Sequence, residues 1–226
     1  APEPRAIVRG LASKRLAKAD YLLADMADDA AGLIEHLGLT MVHVVGVSMG
    51  GMIAQELAIR HPDRVATLTS IMSNTGSKLH GRPATTFLPE FSKSFLGARP
   101  STPDEALAFG VNAWRQISGP HFDEDELREM IRASIDRDPD PIGRVRQIAA
   151  ILASPDRTPG LRALRVPTLV VHGLMDRLVS PSGGIATAKA VPGSRLLMFP
   201  DMAHDLPRPR IEEILDAIDA NAMRSP

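Results

Sequence analysis

The sequence of 226 residues contains no cysteine. This absence excludes a disulfide scaffold, a thiol nucleophile and thiolate metal ligands. The sequence also lacks an apolar run long enough to cross a membrane and a signal-peptide pattern at its start. Its 26 lysines and arginines balance 27 aspartates and glutamates, so no excess of one charge points to nucleic acid or to an anionic membrane surface. We therefore expect a cytoplasmic protein with neither nucleic-acid nor membrane partners.

Aromatic residues are scarce as well, and their distribution divides the chain. Most of them fall between residues 74 and 164, where proline and glycine are also frequent: Phe87, Phe91, Phe95, Phe109, Trp114 and Phe122. In the same stretch, two capping boxes that begin at Thr102 and Asp123 predict the starts of helices. We interpret residues 74–164 as a helical cap insertion, and residues 1–73 and 165–226 as the two parts of one core domain.

Outside the insertion, strand patterns and helix patterns alternate. The first helix pattern runs from Leu22 to Leu37 and ends at Gly38, and residues 1–20 are interpreted as a loop or a short helix. Strands are predicted over 42–47, 65–72, 166–172 and 194–199, and further helices over 50–60, 184–191 and 209–222. This alternation predicts an α/β fold whose parallel sheet is covered on both faces. Ligands bind such sheets at the carboxyl ends of the strands.

The most informative pattern is G-x-S-x-G at residues 46–50, between an apolar run and a helix pattern. A serine at a sharp strand-to-helix turn has strained backbone angles, so small residues are expected two positions before and after it. The turn lifts the hydroxyl above the sheet, and the positive N-terminal end of the helix points at the site. In this context the pattern predicts that Ser48 is a nucleophile, although an ordinary glycine-rich turn is the alternative.

A serine hydroxyl is a poor nucleophile at neutral pH, so it needs a base and a carboxylate that orients the base. His204 follows the strand 194–199 and Asp176 follows the strand 166–172. The chain order Ser48, Asp176, His204 is that of the α/β-hydrolases and differs from the order in other serine triads. The alternatives are that Asp176 is a solvated turn residue and that His204 is a loop residue that caps the last helix.

Other polar residues near these positions could compete for the same roles. Asp201 and Asp205 flank His204 and are rivals for the acid, but neighbouring positions place their side chains awkwardly for its ring. His172, at the end of a strand, is interpreted as a structural residue that orients the Asp176 turn. No two histidines have metal-ligand spacing with a carboxylate on the same face, so we predict no metal site and no cofactor.

Four stretches resemble the α/β-hydrolase superfamily, and within it the bacterial esterase-like hydrolases that include the aclacinomycin methylesterases. The matching stretches are residues 21–30, 43–56, 166–173 and 201–207. Ala203 stands where the family usually has glycine, and residues 74–164 match only loosely. The resemblance implies that Ser48 is the nucleophile, Asp176 the acid and His204 the base, under a helical cap.

The family also has an H-G-x-G-like loop and a first part of the sheet, and nothing before Ser48 matches either of them. The loop supplies one oxyanion donor in the family, so the backbone N–H of Met49 is the one donor that this sequence identifies. We expect the sequence to be an N-terminally truncated portion of a longer hydrolase, with the edge of strand 42–47 left bare. Loss of one oxyanion donor typically costs about 10² to 10³ in rate.

The function that these residues predict is hydrolysis of a small-molecule carboxylic ester through an acyl-enzyme. An acyltransferase or a cofactor-free perhydrolase would use the same residues. Ser48 in place of an aspartate argues against the epoxide-hydrolase and dehalogenase branch. A non-catalytic ligand-binding homologue is the alternative from another class, but such proteins usually lose a member of the triad.

Overall fold

The computed structural model describes residues 19–86, 102–137 and 142–225, together with the single residues 10, 89 and 100. The predictions for most of residues 1–20, and for Phe87, Phe91 and Phe95, lie outside the described residues.

Strands and helices alternate along the chain, with the insertion adding helices between β2 and β3. The elements are α1 (Leu23–His36), β1 (Val42–Val47), α2 (Met49–Arg60), β2 (Val65–Ile71), α3 (Pro103–Arg115), α4 (Glu124–Arg137), α5 (Ile142–Ala153), α6 (Thr158–Ala163), β3 (Thr168–Gly173), α7 (Ser182–Ala190), β4 (Arg195–Phe199) and α8 (Ile211–Ala222). Short 3₁₀ turns cover Pro62–Arg64 and Arg208–Arg210. The strands and helices predicted outside the insertion are confirmed, with ends that shift by a few residues.

Within the described ranges, the strands form one parallel sheet in the order β1-β2-β3-β4. The predicted parallel sheet is therefore confirmed, and the carboxyl ends of all its strands lie at the same edge. β1 is at one side of this sheet, where Val45 and Val47 are exposed. The carboxyl edge is where the residues with predicted chemistry are expected to meet.

Two apolar clusters pack against the sheet. Leu68 belongs to a cluster with residues of α1, α2, α6 and α7, whereas Ile71 belongs to a cluster with residues of β3, β4 and α8. Because neighbouring positions of a strand point to opposite faces, these two residues of β2 place the clusters on opposite faces of the sheet. Helices therefore cover both faces, as predicted.

The helices between β2 and β3 do not all pack in the same place. α3 and α4 pack on each other through Leu107, Val111 and Leu127. α6 also lies inside the predicted insertion, yet its Leu161 is fully buried in the cluster shared with α1 and α2. The end of the 74–164 segment is therefore part of the core of the sheet.

The predicted helix starts in this segment have the expected caps. Thr102 Oγ1 accepts a hydrogen bond from the backbone N–H of Glu105 at 3.2 Å, and Asp123 Oδ1 accepts one from that of Glu126 at 3.0 Å. No helix in the described part of the chain is long and apolar enough to cross a membrane.

Candidate active site

Ser48 lies at the turn between β1 and α2, and its backbone has the strained conformation that the motif predicts. Its φ of 54° lies in the left-handed region, which is unfavourable for a residue other than glycine. The backbone N–H of Ser48 donates to the carbonyl oxygen of Ile71 at 2.9 Å, so the turn is anchored to β2. A Cβ on Gly46 would lie 2.2 Å from the carbonyl oxygen of Gly50, so only glycine fits at position 46.

Gly50, two residues after Ser48, is not needed to make room for a neighbouring atom. A Cβ on Gly50 would meet no atom within 4 Å, whereas one on Gly51 would lie 2.8 Å from the Cβ of Ser73. The expectation that space requires a small residue at position 50 is therefore wrong. The close approach is made one residue later, where α2 packs against the segment after β2.

The side chains of Ser48, His204 and Asp176 meet at the carboxyl edge of the sheet. The Oγ of Ser48 is 2.8 Å from Nε2 of His204, and Nδ1 of His204 is 2.7 Å from Oδ2 of Asp176. His204 and Asp176 are each 3% exposed, and Ser48 is half-buried. If Nδ1 carries the proton and donates a hydrogen bond to Asp176, Nε2 is free to accept a hydrogen bond from the Ser48 hydroxyl.

The carboxylate of Asp176 is surrounded by hydrogen-bond donors. Its Oδ1 accepts from the backbone N–H groups of Leu178 at 2.9 Å and Val179 at 2.8 Å. Its Oδ2 is 3.4 Å from Nε2 of His172, in addition to the bond with His204. Burial alone would raise the pKa of Asp176, but the hydrogen bonds from His172 and His204 hold this pKa below its ordinary value. The carboxylate is therefore ionised at neutral pH.

His172 is fully buried directly beside this carboxylate. Its Nε2 lies 2.8 Å from the carbonyl oxygen of Val179, so this nitrogen carries the proton. Its Nδ1 has no hydrogen-bond partner among the described residues, and a Cβ on Gly184 would lie only 2.6 Å from it. This position agrees with the interpretation of His172 as a residue that orients the Asp176 turn.

The two rival acids bind other groups. The pKa of Asp201 is lowered to about 2 by hydrogen bonds from Arg210 and His121. Asp205 accepts from the backbone N–H groups of Ala203 and Gly119. Among the three candidate carboxylates, Asp176 is the one within hydrogen-bond distance of the His204 ring.

Met49 is the first residue of α2, and it directly follows Ser48. The first N–H groups of a helix have no partner inside the helix and attract anions. The N–H of Met49 is therefore suited to bind a negative oxygen that forms beside Ser48. No group of three or more histidine, aspartate or glutamate side chains among the described residues could hold a metal ion.

Arg157 is a buried charged residue to which no sequence pattern pointed. It is 4% exposed; its Nε donates to Oε1 of Gln55 at 3.1 Å and its Nη2 to the carbonyl oxygen of Asn74 at 2.8 Å. Gln55 on α2 in turn donates from Nε2 to the hydroxyl of Ser70 on β2 at 3.0 Å. Burial lowers the pKa of Arg157 to about 10, so it remains charged at neutral pH. This buried network joins α2, β2 and the segment before α6.

A family model described as the alpha/beta hydrolase fold matches residues 9–207. The chain is 28% identical to the rhodomycin D methylesterase DauP of Streptomyces sp. (strain C5), over 89% of this chain and 73% of that protein. It is 27% identical to a solved thermophilic esterase from Thermogutta terrifontis, with a TM-score of 0.62 over 90% of this chain and 72% of that one. An esterase from Exiguobacterium antarcticum has a TM-score of 0.71 at 20% identity, over 90% of this chain and 74% of that one, and this likeness concerns the fold alone.

Proposed function

Because this chain belongs to the alpha/beta hydrolase fold family, we propose that it cleaves a carboxylic ester through Ser48, His204 and Asp176. The class of carboxylic ester hydrolases follows from relatives that include a methylesterase and an esterase. The observation that carries the proposed mechanism is the continuous line of hydrogen bonds from the Ser48 hydroxyl through the His204 ring to the buried Asp176 carboxylate.

Each residue has one task in the reaction. The Ser48 hydroxyl oxygen attacks the ester carbonyl carbon while Nε2 of His204 takes its proton, and the carbonyl oxygen becomes negative. The backbone N–H of Met49 donates a hydrogen bond to that oxygen. His204 then gives the proton to the leaving alcohol oxygen as the ester bond breaks, which leaves an acyl group on Ser48. A water molecule, activated by His204, releases the acid and restores the serine.

Asp176 does not take a proton in this scheme. Its negative charge stabilises the His204 imidazolium and holds the ring in the tautomer that presents Nε2 to the serine. The lowered pKa of Asp176 fits this task because it keeps the carboxylate charged at neutral pH.

The same residues would also serve an acyltransferase, in which an alcohol takes the place of water. They would equally serve a cofactor-free perhydrolase, in which hydrogen peroxide takes the place of water. The relatives favour hydrolysis, and the methylesterase among them makes methyl esters the first substrates to examine.

We further propose that α3 and α4 cover the site, because the chain between them contacts the backbone next to His204. A cytoplasmic location remains a prediction.

Turnover of p-nitrophenyl acetate by the intact enzyme tests this proposal. Ser48→Ala should lower kcat at least about a thousandfold, because the nucleophile is lost while the fold is kept. Ser194→Ala is the matched control, because the Ser194 hydroxyl donates to the carbonyl oxygen of Ala188 at 2.7 Å, away from the site. Equal turnover by the Ser48 and Ser194 variants would refute the proposal. A panel of methyl esters with acyl parts of different length would then identify the substrate class.

A further inference from the structure

The loop that carries His204 is held from two sides. We call residues 200–207, between β4 and the 3₁₀ turn Arg208–Arg210, the base loop. On one side, the backbone N–H of Met175 donates to the carbonyl oxygen of Met202 at 3.0 Å. A Cβ on Gly173 would lie 2.1 Å from that same oxygen, so the turn that carries Asp176 is in direct backbone contact with the base loop.

The other side of the base loop contacts residues 116–122, in the connection between α3 and α4, which we call the cap turn. The backbone N–H of His204 itself donates to the carbonyl oxygen of Ile117 at 2.9 Å. A Cβ on Gly119 would lie 3.2 Å from the carbonyl oxygen of Asp201 and 3.3 Å from the backbone nitrogen of Ala203. A side chain at position 119 would therefore crowd the backbone of the base loop.

Asp205 joins the two backbones with one carboxylate. Its Oδ1 accepts from the N–H of Ala203 at 3.1 Å, within the base loop, and its Oδ2 accepts from the N–H of Gly119 at 3.0 Å, on the cap turn. Both donors are backbone groups next to the position of His204. A charged acceptor that binds two such donors makes stronger hydrogen bonds than a neutral one.

Two ion pairs flank this contact, and they are weaker supports. Nε2 of His121 lies 3.0 Å from Oδ2 of Asp201, and Nε of Arg208 lies 2.9 Å from Oε2 of Glu126. The side chains of the Arg208 pair are more than half exposed, and pairs of this kind contribute little to stability. Unlike these pairs, the half-buried Asp205 carboxylate binds backbone groups of both the base loop and the cap turn.

We propose that Asp205 is a positioning residue that fixes His204 for the reaction by joining the base loop to the cap turn. In this view the insertion contributes to the chemical step, since it holds the base in line with the serine. A misplacement of about 1 Å in such an arrangement can cost about 10²-fold in rate. The inference rests on the proposed function, because it concerns the geometry of the same base.

Asp205→Ala in the intact enzyme is the direct test, with Asp123→Ala as the matched control. Asp123 also accepts two backbone hydrogen bonds, from the N–H groups of Asp125 and Glu126 at 3.0 Å each, but they belong to α4 and not to the base loop. With p-nitrophenyl acetate, we expect Asp205→Ala to lower kcat about 10- to 100-fold with little change in KM. Asp123→Ala should leave kcat within about twofold, although the loss of this helix cap should lower the melting temperature.

Two further variants keep the test decisive if Asp205→Ala does not fold. Asp205→Asn has nearly the same shape and retains one acceptor oxygen, so it should weaken the link while the protein folds. Gly119→Ala alters the same contact from the cap turn, where its Cβ would crowd Asp201 and Ala203. Both should lower kcat, and both should slow fluorophosphonate labelling of Ser48, at temperatures well below their melting points.

The outcomes separate the inference from the proposed function. A wild-type enzyme that hydrolyses no ester and takes up no probe would contradict the proposed function itself. A wild-type enzyme that is active, with Asp205 and Gly119 variants that keep full kcat and full labelling rate, would overturn the inference alone. A loss of kcat in Asp123→Ala equal to that in Asp205→Ala would also overturn it, because the effect would then follow general destabilisation of the insertion.

Discussion

The turn that carries Asp176 and the loop that carries His204 end in the same line of hydrogen bonds, but different parts of the chain hold them. The Asp176 carboxylate accepts hydrogen bonds from the backbone N–H groups of Leu178 and Val179, two and three residues away. It also contacts His172 near the end of β3, the strand that precedes the turn. The loop that carries His204 contacts the Asp176 turn on one side and the cap turn on the other. Its contact with the cap turn joins Asp205 to Gly119, which are 86 residues apart in sequence. Most hydrogen bonds to the acid thus come from residues near it in sequence, although its turn also contacts the base loop through Met175. The base depends in addition on the cap turn, which is distant in sequence.

Among changes to the Asp176 turn and the base loop, the largest expected effect comes from Asp176→Asn. The asparagine amide cannot stabilise the charged His204 imidazole, and it favours the wrong tautomer of that ring. We therefore expect kcat for p-nitrophenyl acetate to fall about 10⁴-fold. Asp205→Asn should have a much smaller effect, since Asp205 acts only through the position of the loop. A larger loss of kcat in the Asp205 variant than in the Asp176 variant would show that the acid is assigned wrongly.

His172→Leu tests whether the acid turn is held by its own strand. The change removes the donor to the buried carbonyl oxygen of Val179, and an unsatisfied buried acceptor costs about 1–3 kcal/mol. Urea unfolding should show this loss. The control is His36→Leu in the last turn of α1, where the residue is exposed and where we expect a change within about 0.5 kcal/mol. Equal stability of the two variants would mean that His172 does not support the Asp176 turn.

A smaller effect is expected in the pH dependence of stability. Because the pKa of Asp176 is lower in the folded protein than in the unfolded chain, ionised Asp176 stabilises the fold above the ordinary carboxyl pKa. This contribution is lost as the pH falls through the lowered pKa. The free energy of unfolding should therefore drop less between neutral and acidic pH in Asp176→Asn than in the wild type. Parallel pH curves for the two proteins would contradict this assignment of the shift.

What the sequence could predict follows the same division between local and distant contacts. The end of α1 at Gly38, whose φ is 70°, and the turn at Ser48 are local features with a clear pattern. Asp176 and His204 could be predicted because each directly follows an apolar strand. The same local reasoning was wrong at position 50, because the close approach is made by Gly51 to Ser73, and both residues lie beyond the motif.

Contacts between distant residues left no pattern that could be recognised. Arg157 lies 102 residues from Gln55, and nothing around it distinguishes a buried arginine from an exposed one. Asp205 was considered only as a rival acid, since its partner Gly119 lies on another part of the chain. The burial of Leu161 in the sheet core likewise depends on packing against α1 and α2, so the predicted insertion included α6.

The measurement that tests the account most directly is mass-spectrometric mapping of a fluorophosphonate probe on the intact enzyme. Such a probe reacts with a serine that a neighbouring base activates, and Nε2 of His204 lies 2.8 Å from the Ser48 hydroxyl. We expect one labelled site, Ser48, and strongly reduced labelling in Asp176→Asn. Labelling of a different serine, or equal labelling of Ser48 in the wild type and in Asp176→Asn, would contradict it.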